Sequence, residues 1–405
     1  MIRLTLAIIF VFCVPAVVLS EQQGTVPGTP PSQGSPQTKD PVLSVRPAPA
    51  PPVVDGRIKL DVVVTGQQGR AVSGLEVKDF TVLDNKQVQT ILGFHAASES
   101  ASESTTPVEV ILLLDAVNSR FQQAAIARQQ ISKFLLQNEG HLAYPTSIAL
   151  FTKEGLRIQP RPSRDGNALA QALNHETASV DNSSSAAAGY GEIERFQISV
   201  RTLTAIAENE VKKPGRKMLI WTGPGWPLLV GSNFASSAQD RQRNFDAIVE
   251  VTTRLREAHI ALYSISPFNP AAGGSAMRMG ASGSVPLGVT TGPEAPPAPH
   301  SIAGDSGAVD GTSYKEFLKG VKSAKQADSA NLALQVLAVQ SGGRVLSPNN
   351  DLVDQISNCL EDLRAFYTIS FDPAVAQHAD EYHELKVVVS TPGLTAHTSS
   401  GYYNQ

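Results

Sequence analysis

The chain has 405 residues, 41% hydrophobic and 17% charged, with 2 cysteines and a formal charge of -4. At about 100 to 200 residues per domain this allows two or three domains with ample core, in a chain too apolar to be wholly disordered. The charge lacks the basic excess that neutralises phosphates, which argues against a nucleic-acid partner, and two cysteines make neither a disulfide scaffold nor a four-thiolate zinc site.

Residues 1–20 read as an export signal: Arg3 forms the positive n-region, Leu4 to Val14 the apolar stretch, and Val18-Leu-Ser20 the small-residue exit. The mature chain is expected to start near Glu21, secreted or periplasmic, with no membrane span left after cleavage. The other reading is a retained anchor, because Leu4 to Ser20 is an uncharged run near the lower limit for crossing a bilayer. Cleavage takes the 33 basic residues to 32 against 37 acidic ones, a charge of -5, and leaves Cys359 as the only thiol.

Residues 21–57 hold nine prolines between Pro27 and Pro52, the composition of a semi-extended linker. From Ile58, apolar residues alternate with polar ones through Val64, and Phe80 to Leu83 and Val88 to Phe94 follow as further short strands. Residues 58–95 thus form a β segment too small to stand alone.

The rhythm changes at Val108-Glu-Val-Ile-Leu-Leu-Leu114, nearly all apolar as a strand covered on both faces should be, and the run stops at Asp115. Helices are expected over 121–137, 167–173, 192–211, 240–258 and 330–340, with strands over 147–151, 217–221, 260–265 and 344–346 between them. Leu352, Ile356, Leu360 and Leu363 share one face of a last helix. This alternation implies a doubly wound, mostly parallel α/β domain over residues 107–364. An insert at 270–313, with six prolines and nine glycines, interrupts it and is expected to be flexible. Residues 365–405 alternate again, with strands at 366–371 and 385–389. The two outer segments are each too small to bury a face, so they should pair as one antiparallel β-sandwich flanking the α/β domain.

Several strings resemble the von Willebrand factor A-related proteins first described in Acidobacteria: Val62-Val-Val-Thr65, Gly69-Arg70, Val72-Ser-Gly-Leu75 and Asp79-Phe80, then Leu112-Leu-Leu-Asp115, Gly215-Arg-Lys217, Ser341-Gly-Gly-Arg344 and Gly401-Tyr-Tyr403. The resemblance covers about residues 58–403. It implies an exported protein with a von Willebrand A-like domain, a fold used chiefly for adhesion and protein binding.

The resemblance also implies where chemistry would sit. The metal-dependent adhesion site of that fold uses Asp-x-Ser-x-Ser after the first strand, a Thr from a later loop and an Asp after the fourth strand. Here the first motif reads Asp115-Ala-Val117-Asn118-Ser119, so Asp115 and Ser119 match while Val117 replaces a hydroxyl. The fourth strand runs into Trp221-Thr-Gly-Pro-Gly-Trp226, with Gly223 or Pro224 where the second carboxylate would stand. The loop hydroxyl would come from Thr177 or from Ser183 to Ser185. One Asp and one Ser are thin ligation for magnesium, which relies on oxygen donors and carboxylate charge, so the site is expected to be degenerate and no cofactor is expected. The plainer reading is that Asp115 and Asn118 cap the next helix.

Trp226, between Gly225 and Pro227, is expected as an exposed partner contact beside Asn118. His378 and His383 flank Asp380 and Glu381 in what reads as a solvated hairpin loop. Gly304-Asp-Ser-Gly307 lies in the insert, outside any two-barrel β framework, and Gly223-x-Gly225 reads as a turn. No Ser/His/Asp, Cys/His or paired-carboxylate spacing appears. The expected function is therefore a non-enzymatic protein-binding module; the alternative is an envelope scaffold that contacts partners through 270–313.

Overall fold

The computed structural model describes residues 56–98, 107–178, 191–226, 237–266, 314–347 and 351–404. The expected export signal (1–20), almost all of the expected linker (21–57), the insert expected at 270–313 and Ser183 to Ser185 lie outside the described residues. In chain order the strands and helices are β1 (Ile58–Thr65), β2 (Phe80–Asp84), β3 (Gln87–Gln89), β4 (Gly93–Ser98), β5 (Val108–Asp115), α1 (Phe121–Leu135), β6 (His141–Thr152), β7 (Gly155–Ile158), β8 (Ser163–Asp165), α2 (Gly166–Ala178) and α3 (Glu192–Glu210). There follow β9 (Arg216–Thr222), α4 (Ala238–Glu257), β10 (Ile260–Ile265), α5 (Leu334–Gln340), α6 (Leu352–Leu360), β11 (Ala365–Phe371), β12 (Glu381–Val389), β13 (Thr395–His397) and β14 (Gly401–Asn404).

Four of these strands, in the order β10-β9-β5-β6, are parallel, and β7 and β8 add antiparallel pairings at the β6 edge. The fold is therefore mixed α/β, and its central sheet is covered on both faces. Ile111, Leu113, Leu219 and Trp221 pack toward α3, α4 and α5, whereas Val110, Leu112, Met218 and Ile220 pack toward α1, α2 and α6. This two-sided burial is why β5 and β9 carry continuous apolar runs.

The outer segments form two antiparallel four-stranded sheets, β13-β1-β11-β4 and β14-β12-β2-β3. β1 pairs β11, and β2 pairs β12, each across about 300 residues of sequence. Ile58, Leu60 and Val62 of one sheet share a core with Phe80, Val82, Leu385 and Val387 of the other. The opposite face of β1 carries Val63, which packs with Ala97 and Phe366, and the Arg216 guanidinium lies 4.8 Å from the Phe366 ring. Asp61 accepts a hydrogen bond from Thr368 (3.1 Å) and lies 3.3 Å from His259 Nδ1, joining the sandwich to the lower end of the parallel sheet.

Some elements differ from the sequence-based expectation. The strand expected at 147–151 extends back to His141, pairing β8 with a register shift between His141 and Thr146. The helix expected over 330–340 is split, because Asp328 caps a separate 3₁₀ turn (Ser329–Leu332) by accepting from Ala330 N. The strand expected at 344–346 makes one parallel bridge, Val345 to Ser264. There Gly343 lies so close to β10 that an added Cβ would stand 1.9 Å from the Leu262 carbonyl oxygen.

Candidate functional site

Parallel strands direct their C-terminal ends to one edge, and the helices that follow or precede them open there. Here that edge carries Asp115 from β5, the turn 116–120, the N-termini of α1 and α3, Thr222 at the end of β9 and Gly223 after it. Main-chain bonds Ala116 N to Phe151 O and Gly223 N to Ile265 O, both 2.9 Å, hold the strand ends in line.

Asp115 has no exposed surface. Its Oδ1 accepts from the backbone N–H groups of Val117 (3.0 Å) and Asn118 (2.9 Å). Its Oδ2 accepts from Asn118 Nδ2 and from the Trp221 indole N–H, each at 2.9 Å. A carboxylate offers about four lone-pair sites, and four N–H donors fill them. Burial pushes the Asp115 carboxyl above its ordinary range, against the pull of these hydrogen bonds. Asn118 Nδ2 also donates to Ser199 Oγ (3.0 Å), which ties the turn to α3.

Of the other positions named for a magnesium ion, Val117 and Gly223 carry no oxygen in their side chains. Val117 is fully buried among apolar side chains. Gly223 has φ 151°, and an added Cβ would stand 3.0 Å from Asp115 Cβ and 3.3 Å from Ser119 Oγ, so no carboxylate can be carried there without displacement. Ser119 is itself buried, at 3% exposure. Thr177 lies near the end of α2. Among the described residues no three His, Cys, Asp or Glu side chains are grouped as a metal ion requires.

Three expectations are corrected here. Asp115 and Asn118 do not cap α1, whose N-cap is Arg120, with Arg120 N donating to Gln123 Oε1; Asp115 instead closes the turn before it. Trp226 is not an exposed contact: it is 3% exposed, donates its indole N–H to the Leu332 carbonyl (2.8 Å) and meets Trp221 edge-on at 5.2 Å. A third concerns the histidines. His378 is exposed, but His383 lies in β12, buried, 2.8 Å from Asp84 Oδ1 and stacked on Tyr402, which donates its hydroxyl to Asp84 Oδ2.

Sequence reasoning missed Trp221 as the donor to Asp115, and Ser199 altogether. A signal for Trp221 existed: an indole N–H in an otherwise apolar, doubly covered strand needs an acceptor, and Asp115 ends the neighbouring strand. Thr222, fully buried, has an Oγ1 with no partner at the same edge.

No family model matches the chain, and no curated protein does. Among solved structures, human COPII-coat protein Sec24c aligns with 79% of this chain and 48% of its own, at 6% identity and TM-score 0.29. The pilus adhesin SpaC from Lactobacillus rhamnosus GG, in its open conformation, aligns with 48% of this chain and 29% of its own, at 16% identity and TM-score 0.27. Manganese-loaded Plasmodium vivax TRAP aligns with 76% of this chain and 96% of its own, at 9% identity and TM-score 0.30. The chain spans less than half the length of the first two. Among the described residues, no helix is long and apolar enough to cross a membrane.

Proposed function

We propose that this is an exported, non-enzymatic protein-binding module of the von Willebrand A-related type that engages its partner at the upper edge of the parallel sheet without a resident divalent cation. The observation that carries this reading is the filled hydrogen-bonding shell of Asp115: the one carboxylate matching an adhesion-type site is spent on Val117, Asn118 and Trp221 within the chain. Beside it, Phe121 at the start of α1 and Ile193 at the start of α3 are 50% and 53% exposed. Large apolar side chains left in water at one edge suit a partner surface better than a small-molecule site.

The test is capture of a partner from envelope fractions by the full chain and by Phe121→Asp/Ile193→Asp. The reading predicts loss of capture in the variant at unchanged melting temperature, and full capture by wild type in chelator. Capture that persists in the variant, or that chelator abolishes, refutes it.

A further inference from the structure

Away from that edge, residues 314–333 lie along α4 and α5 as a strap built of 3₁₀ turns, Tyr314–Phe317, Ala324–Gln326 and Ser329–Leu332. Its main-chain hydrogen bonds close on the strap itself, among them Gln326 N to Ser323 O (2.9 Å), Asn331 N to Asp328 O (3.1 Å) and Ala333 N to Ala330 O (3.1 Å). Among the described residues, no main-chain bond joins 318–332 to any element outside the strap. Side chains hold it down instead. The Tyr403 hydroxyl donates to Val321 O (2.9 Å), the Trp226 indole N–H to Leu332 O (2.8 Å) and Asn244 Nδ2 to Ser329 Oγ (3.3 Å). Gly320 lies against the Tyr382 ring, where an added Cβ would collide with Cε1 and Cζ, and Val321, Ala327 and Leu332 are buried in the core that holds Tyr382 and Tyr403. A segment with self-contained backbone bonds and few apolar anchors is the kind that opens as a unit before the rest of a fold.

One of these anchors leads to the binding edge. Trp226, bonded to the strap at Leu332 O, meets Trp221 edge-on at 5.2 Å, and Trp221 donates to Asp115 Oδ2. Asp115 Oδ1 in turn accepts from Val117 N and Asn118 N, which fixes the turn immediately before Phe121. Trp221 and Trp226 are the chain's only tryptophans, and both lie buried on this route. A run of packed, hydrogen-bonded side chains of this kind carries coupling between two places when the element at one end has two states, here docked and lifted.

We infer that the strap is a detachable regulatory element whose docking keeps the edge in order. Docked, it holds the Trp226 indole at Leu332 O, and through Trp221 it holds the Asp115 turn. Lifted, it leaves both indoles free to shift and loosens the turn that presents Phe121. The regulatory consequence rests on the edge being the binding face, but the test uses the chain alone, so its failure and a failure of partner capture are separate results.

The test is amide hydrogen exchange of the full chain, read residue by residue. In wild type the amides of Gln326, Ala327, Asn331 and Ala333 should exchange about tenfold or more faster than those of β9. Loss of one hydrogen bond shifts an opening equilibrium by about two- to tenfold, so Tyr403→Phe should speed the strap amides by about threefold, and the collision in Gly320→Ala should speed them by about tenfold. The Val117 and Asn118 amides should speed by about threefold in both variants, while those of α2, on the opposite face of the sheet, keep their wild-type rates. In Trp226→Phe, which removes the donor to Leu332 O, adding Gly320→Ala should leave Val117 and Asn118 as they are in the single variant. Strap amides as slow as β9 in wild type, or speeded no more than α2 in the variants, overturn the strap as a separate unit. Val117 and Asn118 rates indifferent to Gly320→Ala and Tyr403→Phe, or responding equally with and without Trp226, overturn its link to the edge.

Discussion

The Trp221 indole N–H lies 2.9 Å from Asp115 Oδ2, across 106 residues of sequence, and neither residue has exposed surface. One neutral donor on β9 thus meets the carboxylate that ends β5, where the resemblance to adhesion domains puts a cation. The pair should be energetically coupled. A hydrogen bond to a charged group contributes about 1.5–3 kcal/mol, so Trp221→Phe should destabilise by about 2–4 kcal/mol once the lost volume is included. A double-mutant cycle with Asp115→Asn, read by urea unfolding, should give a coupling of about 1–2 kcal/mol, and additivity would show that the contact does no work.

Asp115 and Asp61 should impose opposite pH dependences. Burial holds the Asp115 carboxyl above its ordinary 3.8, so the folded state keeps that proton longer than the unfolded one, and stability falls as pH rises from 3.8 through the raised value. For Asp61, burial also opposes the charge, but the hydrogen bond and charge of His259, the charge of Arg216 and the Thr368 hydroxyl hold its carboxyl below 3.8. Its contribution is present above 3.8 and is lost as pH falls through the lowered value. Urea midpoints from pH 3 to 6 should therefore lose the falling component in Asp115→Asn and the acid-side loss in Asp61→Asn.

The sandwich should depend on its own buried carboxylate. Asp84 is 2% exposed and is held by His383 and by the Tyr402 hydroxyl, the latter at 2.8 Å. Burial and the neighbouring Asp84 push the Tyr402 hydroxyl far above its ordinary range, so it stays a donor. Tyr402→Phe should cost about 1.5–3 kcal/mol in urea unfolding by leaving Asp84 one donor short.

What was legible in the sequence follows burial set by neighbours in the chain. Val108 to Leu114 and Lys217 to Trp221 are read as buried strands because both faces are apolar, and the α1 and α6 stripes show helical spacing. β7 and β8 escape because they are short and partly polar, with Pro160 and Pro162 in the link between them. Trp226 is misread for a different reason. Gly225 and Pro227 mark a turn locally, but the indole is buried by Leu332 and its surroundings, about a hundred residues away, where Gly225 has no room for a Cβ against Leu334. His383 is likewise hidden by Asp84 and Tyr402, partners no local pattern announces.

Two glycines should separate close packing from backbone freedom. Gly343→Ala would set a Cβ 1.9 Å from the Leu262 carbonyl oxygen, forcing the 341–346 segment off β10, and should cost at least about 3 kcal/mol. Gly191→Ala, with nothing within 4 Å but at the N-cap of α3, where Ala caps poorly, should cost no more than about 1 kcal/mol. Urea unfolding of the two variants checks both values.

The central claim is that Asp115 is spent on hydrogen bonds inside the chain rather than kept for a cation, and thermal unfolding with millimolar magnesium or manganese tests it most directly. A site occupied at a hundred times its Kd would add about 2.7 kcal/mol, or about 4 °C for a folded unit spanning Asp55–Gln405. The account predicts no shift beyond that of ionic-strength-matched sodium chloride. A rise of several degrees that disappears in Asp115→Ala would contradict it.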